Sequence, residues 1–426
     1  MINCFIPFLS LPQARQTVRA LGLCDRIKNI YLLATEKIPD EVEGCEMLMI
    51  DSPASTATFR TIALHADTAY TLLYTKYTAF EPGQFAFERL LAIAGDTNAG
   101  MLYADRYLLK NGNSQQAPVI DYQKGSLRDD FDFGSLLFFR SSVLKQAVRA
   151  MDADYRFAGL YDLRLRVSEL AELVHVNEYL YSEVETDIRK SGEKLFDYVD
   201  PKNRAVQIEM EAVCTAYLKR VGGYLAPDFE PVTFDAGGFE QEASVIIPVR
   251  NRIRTIEDAI RSVLAQKTTF RFNLIIVDNH STDGTSEAIG KYTADGRVVH
   301  LVPERSDLGI GGCWNVGVHH PACGKFAVQL DSDDVYSGPD TLQKIVDAFY
   351  EQNCAMVVGT YRMTDFKMNE IPPSIIDHRE WTLENGRNNA LRINGLGAPR
   401  AFYTPVLRRI NLPNTSYGED YALGLN

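Results

Sequence analysis

"SVIIPVRNRIRTIEDAIRSVLAQKTTFRFNLIIVDNHSTDGT", residues 244–285, sets two apolar, β-branched runs on either side of a helical pattern. "SVIIPV" (244–249) lacks the polar alternation of a half-exposed strand and reads as a strand buried on both faces. "TIEDAIRSVLAQ" (255–266) spaces Ile256, Ile260, Val263 and Leu264 along one side of a helix. "FNLIIVD" (272–278) predicts a second buried strand. Strand, helix and strand in that order make a parallel pair joined by a crossover helix.

Further along, "TSEAIGKYT" (285–293) predicts a short helix with Thr285 as its cap. "VVHLV" (298–302) and "KFAVQLD" (325–331) predict a third and a fourth strand. A helix "DTLQKIVDAFYEQ" (340–352) and a strand "AMVVGTYRM" (355–363) follow. This alternation implies a largely parallel α/β sheet with helices on both faces. Ligands meet such sheets outside the carboxyl ends of the strands.

Acids gather at those ends. Asp278 closes the second strand, and Asp331, Asp333 and Asp334 in "QLDSDDVY" (329–336) close the fourth. Asp283 reads as a turn-former or helix cap. Three carboxylates ~4 Å apart repel one another unless a cation intervenes. Oxygen donors with no His or Cys beside them suit Mg²⁺ or Mn²⁺, whose shell is completed by water and phosphate oxygens.

A chain of 426 residues is expected to hold two or three domains. Its net charge of -12 argues against a nucleic-acid partner. The seven cysteines form no CxxC pair, so neither a zinc site nor a disulfide framework is expected. "MINCFIPFLSLPQ" does not read as a signal peptide, and no run approaches the ~20 apolar residues of a membrane span. A cytoplasmic location is expected, compatible with peripheral contact at the cytoplasmic face of the inner membrane. "GGYLAPDFEPVTFDAGGFEQE" (222–242) reads as a linker, after one or two charged helices within 186–221. The expected division is therefore 1–185, a helical segment and linker at 186–242, and 243–426.

The first part repeats the second in outline. "AYTLLYTKYTAFEPGQFAFERLLAIAGDTNAGMLYADRY" (69–107) lies without gaps on "KFAVQLDSDDVYSGPDTLQKIVDAFYEQNCAMVVGTYRM" (325–363). "FFRSSVLKQ" (138–146) matches "AFYTPVLRR" (401–409), and "YRFAGLYDLRLRV" (155–167) matches "NTSYGEDYALGLN" (414–426). On these alignments Asp331 falls on Thr75, Ser332 on Lys76 and Asp333 on Tyr77, while Glu419 and Asp420 fall on Leu160 and Tyr161. The first part thus has no oxygen cage for a divalent ion, although Lys76 could meet an anion unaided.

"SVIIPVRNR", "IIVDNHSTDGT", "LGIGGCWNVGVHHPACGKFAVQLDSDD" and "YGED" occur in the order and rough spacing of four motifs. With them, residues 243–426 resemble family-2 glycosyltransferases of the GT-A fold. The resemblance implies two GT-A-like nucleotide-diphospho-sugar transferase domains in tandem, each a mostly parallel sheet with helices on both faces, the first degenerate and non-catalytic. It places Pro248, Arg250 and Asn251 at the nucleotide pocket and Asp278 against the base. It assigns Asp331 and Asp333 to ribose and metal-diphosphate, with Asp334 as a further metal ligand. Asp420, beside Glu419, becomes the general base on the acceptor hydroxyl. The implied reaction is metal-dependent (Mn²⁺ or Mg²⁺), inverting transfer from a UDP- or GDP-type sugar donor to a glycan or other hydroxyl acceptor. Surface polysaccharide or glycoconjugate synthesis is the expected setting.

Two departures from the family pattern stand out. Asp307 takes the place of an Asn before "LG", and the chain stops six residues after Asp420, where the first part continues through "LRLRVSELAEL". The second domain is therefore expected to be cut short at a fragment boundary. Gly309, Gly311 and Gly312 read as a donor-site loop and not as a dinucleotide fingerprint. His319 and His320 diverge on a helix and cannot chelate one ion. Trp314 reads as core, and Trp381 as core or an acceptor platform. Arg250, Arg252, Arg254 and Arg305 are candidates to face a diphosphate. A nucleotidyltransferase would need a glycine-rich, basic signature after the first strand, which "PVRNRIRT" lacks. A catalytically silent nucleotide- or carbohydrate-binding scaffold is the remaining alternative.

Overall fold

The computed structural model describes residues 1–37, 42–110, 112–184, 203–235, 237–379, 381–393 and 396–426. The chain divides into two compact units, Met1–Tyr224 with Leu391–Ile393, and Leu225–Ala390 with Asn394–Asn426.

The first unit begins β1 (Ile2–Pro7), α1 (Leu11–Gly22), β2 (Ile27–Ala34), β3 (Glu46–Met49), α2 (Thr56–His65), β4 (Tyr70–Tyr74) and β5 (Phe80–Pro82). It continues α3 (Ala86–Thr97), β6 (Met101–Lys110), β7 (Asn113–Ala117), β8 (Leu136–Arg140) and α4 (Ser141–Arg149). It closes with α5 (Gly159–Leu170), β9 (Leu173–Val184) and α6 (Arg204–Val221). The second unit runs β10 (Ala243–Val249), α7 (Ile256–Leu264), β11 (Phe272–Asp278), α8 (Thr285–Gly290), β12 (Val298–Leu301), α9 (Ile310–His319) and β13 (Phe326–Gln329). Then come α10 (Thr341–Gln352), β14 (Met356–Val358), the hairpin β15 (Tyr361–Thr364) and β16 (Glu370–Ile376), and α11 (Gly386–Asn389). The last elements are β17 (Arg400–Tyr403), α12 (Thr404–Ile410) and α13 (Glu419–Gly424).

The second sheet has the order β12-β11-β10-β13-β17-β14, with the first four strands parallel and β17 antiparallel to both its neighbours. Side chains alternate across it. Val245, Ile247, Leu274 and Ile276 join the layer beneath α7 and α10, while Ile246, Ile275 and Val277 pack with Cys313, Trp314 and Val318 of α9. Each such side chain contributes about 1.5–3 kcal/mol of burial, which accounts for the continuous apolar runs. Among the described residues the first sheet is ordered β3-β2-β1-β4-β8-β6-β9-β5, with β7 on β6.

The order β3-β2-β1-β4-β8 matches β12-β11-β10-β13-β17 strand for strand and direction for direction. Leu72 faces Phe138 across β4 and β8, and Val328 faces Ala401 across β13 and β17. Those two pairs join alignments that were drawn separately in the sequence. α3 and α10 each end on a left-handed asparagine, Asn98 (φ 54°) and Asn353 (φ 47°). The third alignment shifts by one residue. Tyr161 donates its hydroxyl to the Leu127 carbonyl (2.5 Å) and Tyr421 to that of Ala390, so Asp420 corresponds to Leu160 and Glu419 to Gly159.

The helix expected within 186–221 is present where that part is described, as α6. α6 buries Val213, Cys214, Tyr217 and Leu218 against Ala158, Tyr161 and Leu165 of the first unit. Phe234, in the second unit, sets its ring edge-on against Phe326, Tyr350 and Tyr403. Residues 185–202 lie outside the described residues. The strand expected over 355–363 breaks at Gly359, whose N–H donates to the Pro399 carbonyl (2.8 Å), and β15 leaves to pair with β16. Thr285 is the first residue of α8 and not its cap, because Asp283 takes up its hydroxyl.

Candidate active site

β10, β11 and β13 are parallel, so their carboxyl ends open on one edge of the second sheet. Pro248, the partner of Val277 in the ladder, is half-buried there, and Arg250 and Asn251 follow it into solvent. Asn251 is left-handed (φ 55°), a conformation asparagine tolerates. Its Oδ1 accepts the Thr282 N–H (2.8 Å), and its N–H donates to Ser281 Oγ (3.0 Å). Asp283 Oδ2 accepts the Ile253 N–H (3.2 Å), so the loops after β10 and β11 are laced together. Arg250 makes no ion pair among the described residues.

Asp278 is fully buried. Its carboxylate accepts the Ser281 N–H (3.0 Å) and the Ser286 hydroxyl, with His300 Nε2 3.5 Å away. Burial works to raise its pKa, but the Ser281 and Ser286 hydrogen bonds outweigh it and hold the carboxyl below the ordinary range. These bonds tie Asp278 into the 279–286 turn. Its neighbour Asn279 donates Nδ2–H to the Leu308 carbonyl (2.9 Å) and leaves a buried Oδ1 without a partner.

Asp331, Asp333 and Asp334 follow β13 in a turn closed by the Asp334 N–H on the Asp331 carbonyl (3.1 Å). Burial raises the Asp331 pKa, Asp333 and Asp420 add to the rise, and Arg400 opposes it. Asp334 is pushed up to about 6, by withdrawal of its carboxyl from water first and by Asp331 and Asp333 next. Asp333 is exposed, with Arg252 Nε 3.8 Å from it.

Asp420 reaches this cluster from the first turn of α13. Its Oδ2 accepts Arg400 Nη1–H at 2.6 Å, and its Oδ1 accepts the Tyr421 N–H at 2.7 Å. Glu419 is buried, and burial raises its pKa, with Asp420 and Asp331 adding to the rise. Arg400 was not singled out in the sequence. Its signal is an arginine opening the apolar strand "AFY", where the alignment that sets 138 on 401 gives Leu137.

The glycines of "LGIGG" allow close packing. A Cβ on Gly311 would fall on the Pro413 carbonyl oxygen and one on Gly312 on Asn414 Oδ1, while one on Gly309 would lie 2.6 Å from Thr415. They let the start of α9 touch the segment that delivers Glu419 and Asp420. Arg305 is occupied by Asp307 (2.7 Å). His319 hydrogen-bonds Asn411, Trp314 is core, and Trp381 stays partly exposed.

The donor set at 331–334 is oxygen only, and it fits a hard divalent cation. Among the described residues, Asp331, Asp333 and Asp334 do not form a set of three ligand atoms within 4.8 Å of one another. Only Cys24, Asp25 and Glu88 do so. An ion held by one or two carboxylates and by diphosphate oxygens needs no such set.

A parallel sheet presenting paired acids at its strand ends, with a further carboxylate brought to them from a helix, has the parts of a group-transfer site for an anionic, activated substrate. Residues 244–409 match the model of glycosyl transferase family 2, and the chain carries a glycosyltransferase domain of that family. A putative teichuronic acid biosynthesis glycosyltransferase of Bacillus subtilis, TuaG, is 33% identical over 120 residues, 28% of this chain and 46% of its own. An uncharacterised glycosyltransferase of Rickettsia conorii is 38% identical over 97 residues, 23% of this chain and 15% of its own. The chain spans less than half the length of these curated relatives. The solved structure of S. aureus TarS 1-349 with UDP-GlcNAc is 22% identical, covers 43% of this chain and 52% of its own, and has a TM-score of 0.34. No helix among the described residues is long and apolar enough to cross a membrane.

Proposed function

We propose that the second unit transfers a sugar, with inversion, from a nucleoside-diphosphate sugar to a hydroxyl of a glycan or similar acceptor, in surface polysaccharide or glycoconjugate synthesis. The observation that carries this reading is the Arg400–Asp420 ion pair, whose two charges both act on Asp331 at the end of β13, 89 positions before Asp420. A donor gripped at 331–334 then has its anomeric carbon facing Asp420. Asp420 accepts the proton of the incoming hydroxyl, and a direct displacement needs no protein nucleophile. A divalent ion bound through Asp333, with Asp331 or Asp334, would stabilise the departing diphosphate. Asp278 and Asn251 hold the two nucleotide-side loops, and Arg250 and Arg252 face the anion from solvent.

We also propose that the first unit is a degenerate, non-catalytic copy of the same fold. The matched strand order and ladder register support it. So does the fate of Lys76, which pairs with the fully buried Glu183 (2.7 Å) and is therefore not available to an anion. Arg106 (2.9 Å) and the Ser135 hydroxyl also bind Glu183. The strand end that carries acids in the second unit is closed here by an internal ion cluster.

Calorimetry with UDP, GDP and their sugars, with and without Mn²⁺, tests both readings. One metal-dependent site lost in Asp333→Ala supports them. Binding to none of these ligands sinks the transferase reading, and a second metal-dependent site surviving in Asp333→Ala sinks the degenerate-copy reading.

A further inference from the structure

Arg400 is buried at the first position of β17, and its guanidinium ties three segments together. Nε donates to Gln329 Oε1 at the end of β13 (2.5 Å), and Nη1 donates to the Leu396 carbonyl (2.6 Å) and to Asp420 Oδ2 (2.6 Å). A buried guanidinium is costly to keep and needs every such partner.

The first unit shows what the fold does without it. Val328 faces Ala401, so Gln329 stands beside Arg400 as Leu73 stands opposite Leu137. Both leucines are buried. The same unit has Thr75 and Tyr77 in place of Asp331 and Asp333, and Leu160 in place of Asp420. The amide and the guanidinium are therefore present with the acids and missing where the acids are missing. Two leucines meet the needs of the sheet at these positions, so folding alone does not call for the polar pair.

We propose that Arg400 is a positioning residue for the transfer, anchored by Gln329, that fixes the orientation of the Asp420 carboxylate. The inference rests on the sugar-transfer reading above. It goes further in making the placement of the base depend on β17, which lies outside the acid motifs.

The test uses the full chain and three variants: Arg400→Lys, Arg400→Leu, and the double variant Gln329→Leu with Arg400→Leu, which installs the first unit's pair. Donor binding is measured by calorimetry with Mn²⁺ and UDP-N-acetylglucosamine, UDP-glucose or GDP-mannose. Turnover is followed as nucleoside diphosphate released when the sugar passes to acceptor or water. The double variant is expected to melt near the wild-type temperature and to keep its donor affinity, while kcat falls ~100-fold as the base loses its orientation. Arg400→Lys should recover part of that loss. Near-wild-type turnover in the double variant overturns the proposal. So does joint loss of stability, donor affinity and turnover, which would mark a structural role. A crystal structure of the double variant with Asp420 in its original place would also overturn it. A wild-type chain that binds none of the three donors would refute the transfer reading itself, a result distinct from all of these.

Discussion

Arg400 Nη1 stands 2.6 Å from Asp420 Oδ2, joining the first residue of β17 to the first turn of α13. The contact leaves lone pairs on both carboxylate oxygens, so Asp420 is held but still able to accept a proton. Asp420→Asn keeps the shape and removes that ability. Turnover should fall by ~10²–10⁴-fold with donor affinity unchanged, as read by kcat and calorimetry.

The pH dependence of metal binding should follow the strand-end acids. Asp334 titrates near 6 and Asp331 is also raised, so in the ligand-free chain both hold protons more tightly than they would unfolded. For Asp334 the folded state therefore binds the extra proton between about pH 4 and 6, and its contribution to stability declines as pH rises through that window. An ion needs the ionised forms, so Mn²⁺-nucleotide affinity should climb from pH 5 to pH 7 and then level off. In Asp334→Asn the climb should be shallower, and the ligand-free chain should melt higher at pH 7.5 than the wild type. An affinity flat over this range would contradict the assignment of these carboxylates.

Gly311→Ala tests the packing of α9 on the segment before α13. The new methyl meets the Pro413 carbonyl, and destabilisation of about 1–3 kcal/mol is expected in urea unfolding, with turnover falling as Asp420 shifts. Gly290→Ala, with open space around its Cβ, should be stabilising by about 0.4–1 kcal/mol and leave turnover alone.

Glu183→Ala should be severe for the first unit. It strips Lys76 and Arg106 of a fully buried partner, and breaking such a pair costs about 3–5 kcal/mol. Denaturation followed by Tyr fluorescence and circular dichroism should show the loss in the first unit's transition. Metal-dependent nucleotide binding by the second unit should persist.

Much of the scaffold was legible along the chain because it depends on local periodicity. "SVIIPV" and "FNLIIVD" have to be buried on both faces, which requires parallel neighbours and puts Asp278 and Asp331 at one edge. The internal alignments set Leu72 on Val328 and Phe138 on Ala401, and the ladders pair Leu72 with Phe138 and Val328 with Ala401, because register keeps the spacing of apolar side chains. The third alignment slipped by a residue at α13, where the start of a helix is set by turn geometry.

By itself the sequence determined the order of strands and helices from 244 to 352, the acids at the strand ends and the family that the second half resembles. The tertiary structure decided which groups share a charge. Asp278 turns inward because Ser281 and Ser286 satisfy it, and Lys76 is neutralised by a residue 107 positions away. Asp420 is held by Arg400, an arginine that no motif contains. Apolar burial repeats along a chain and can be read there. Neutralising a buried charge needs a partner within a few ångströms, and folding alone brings that partner in from a distant position.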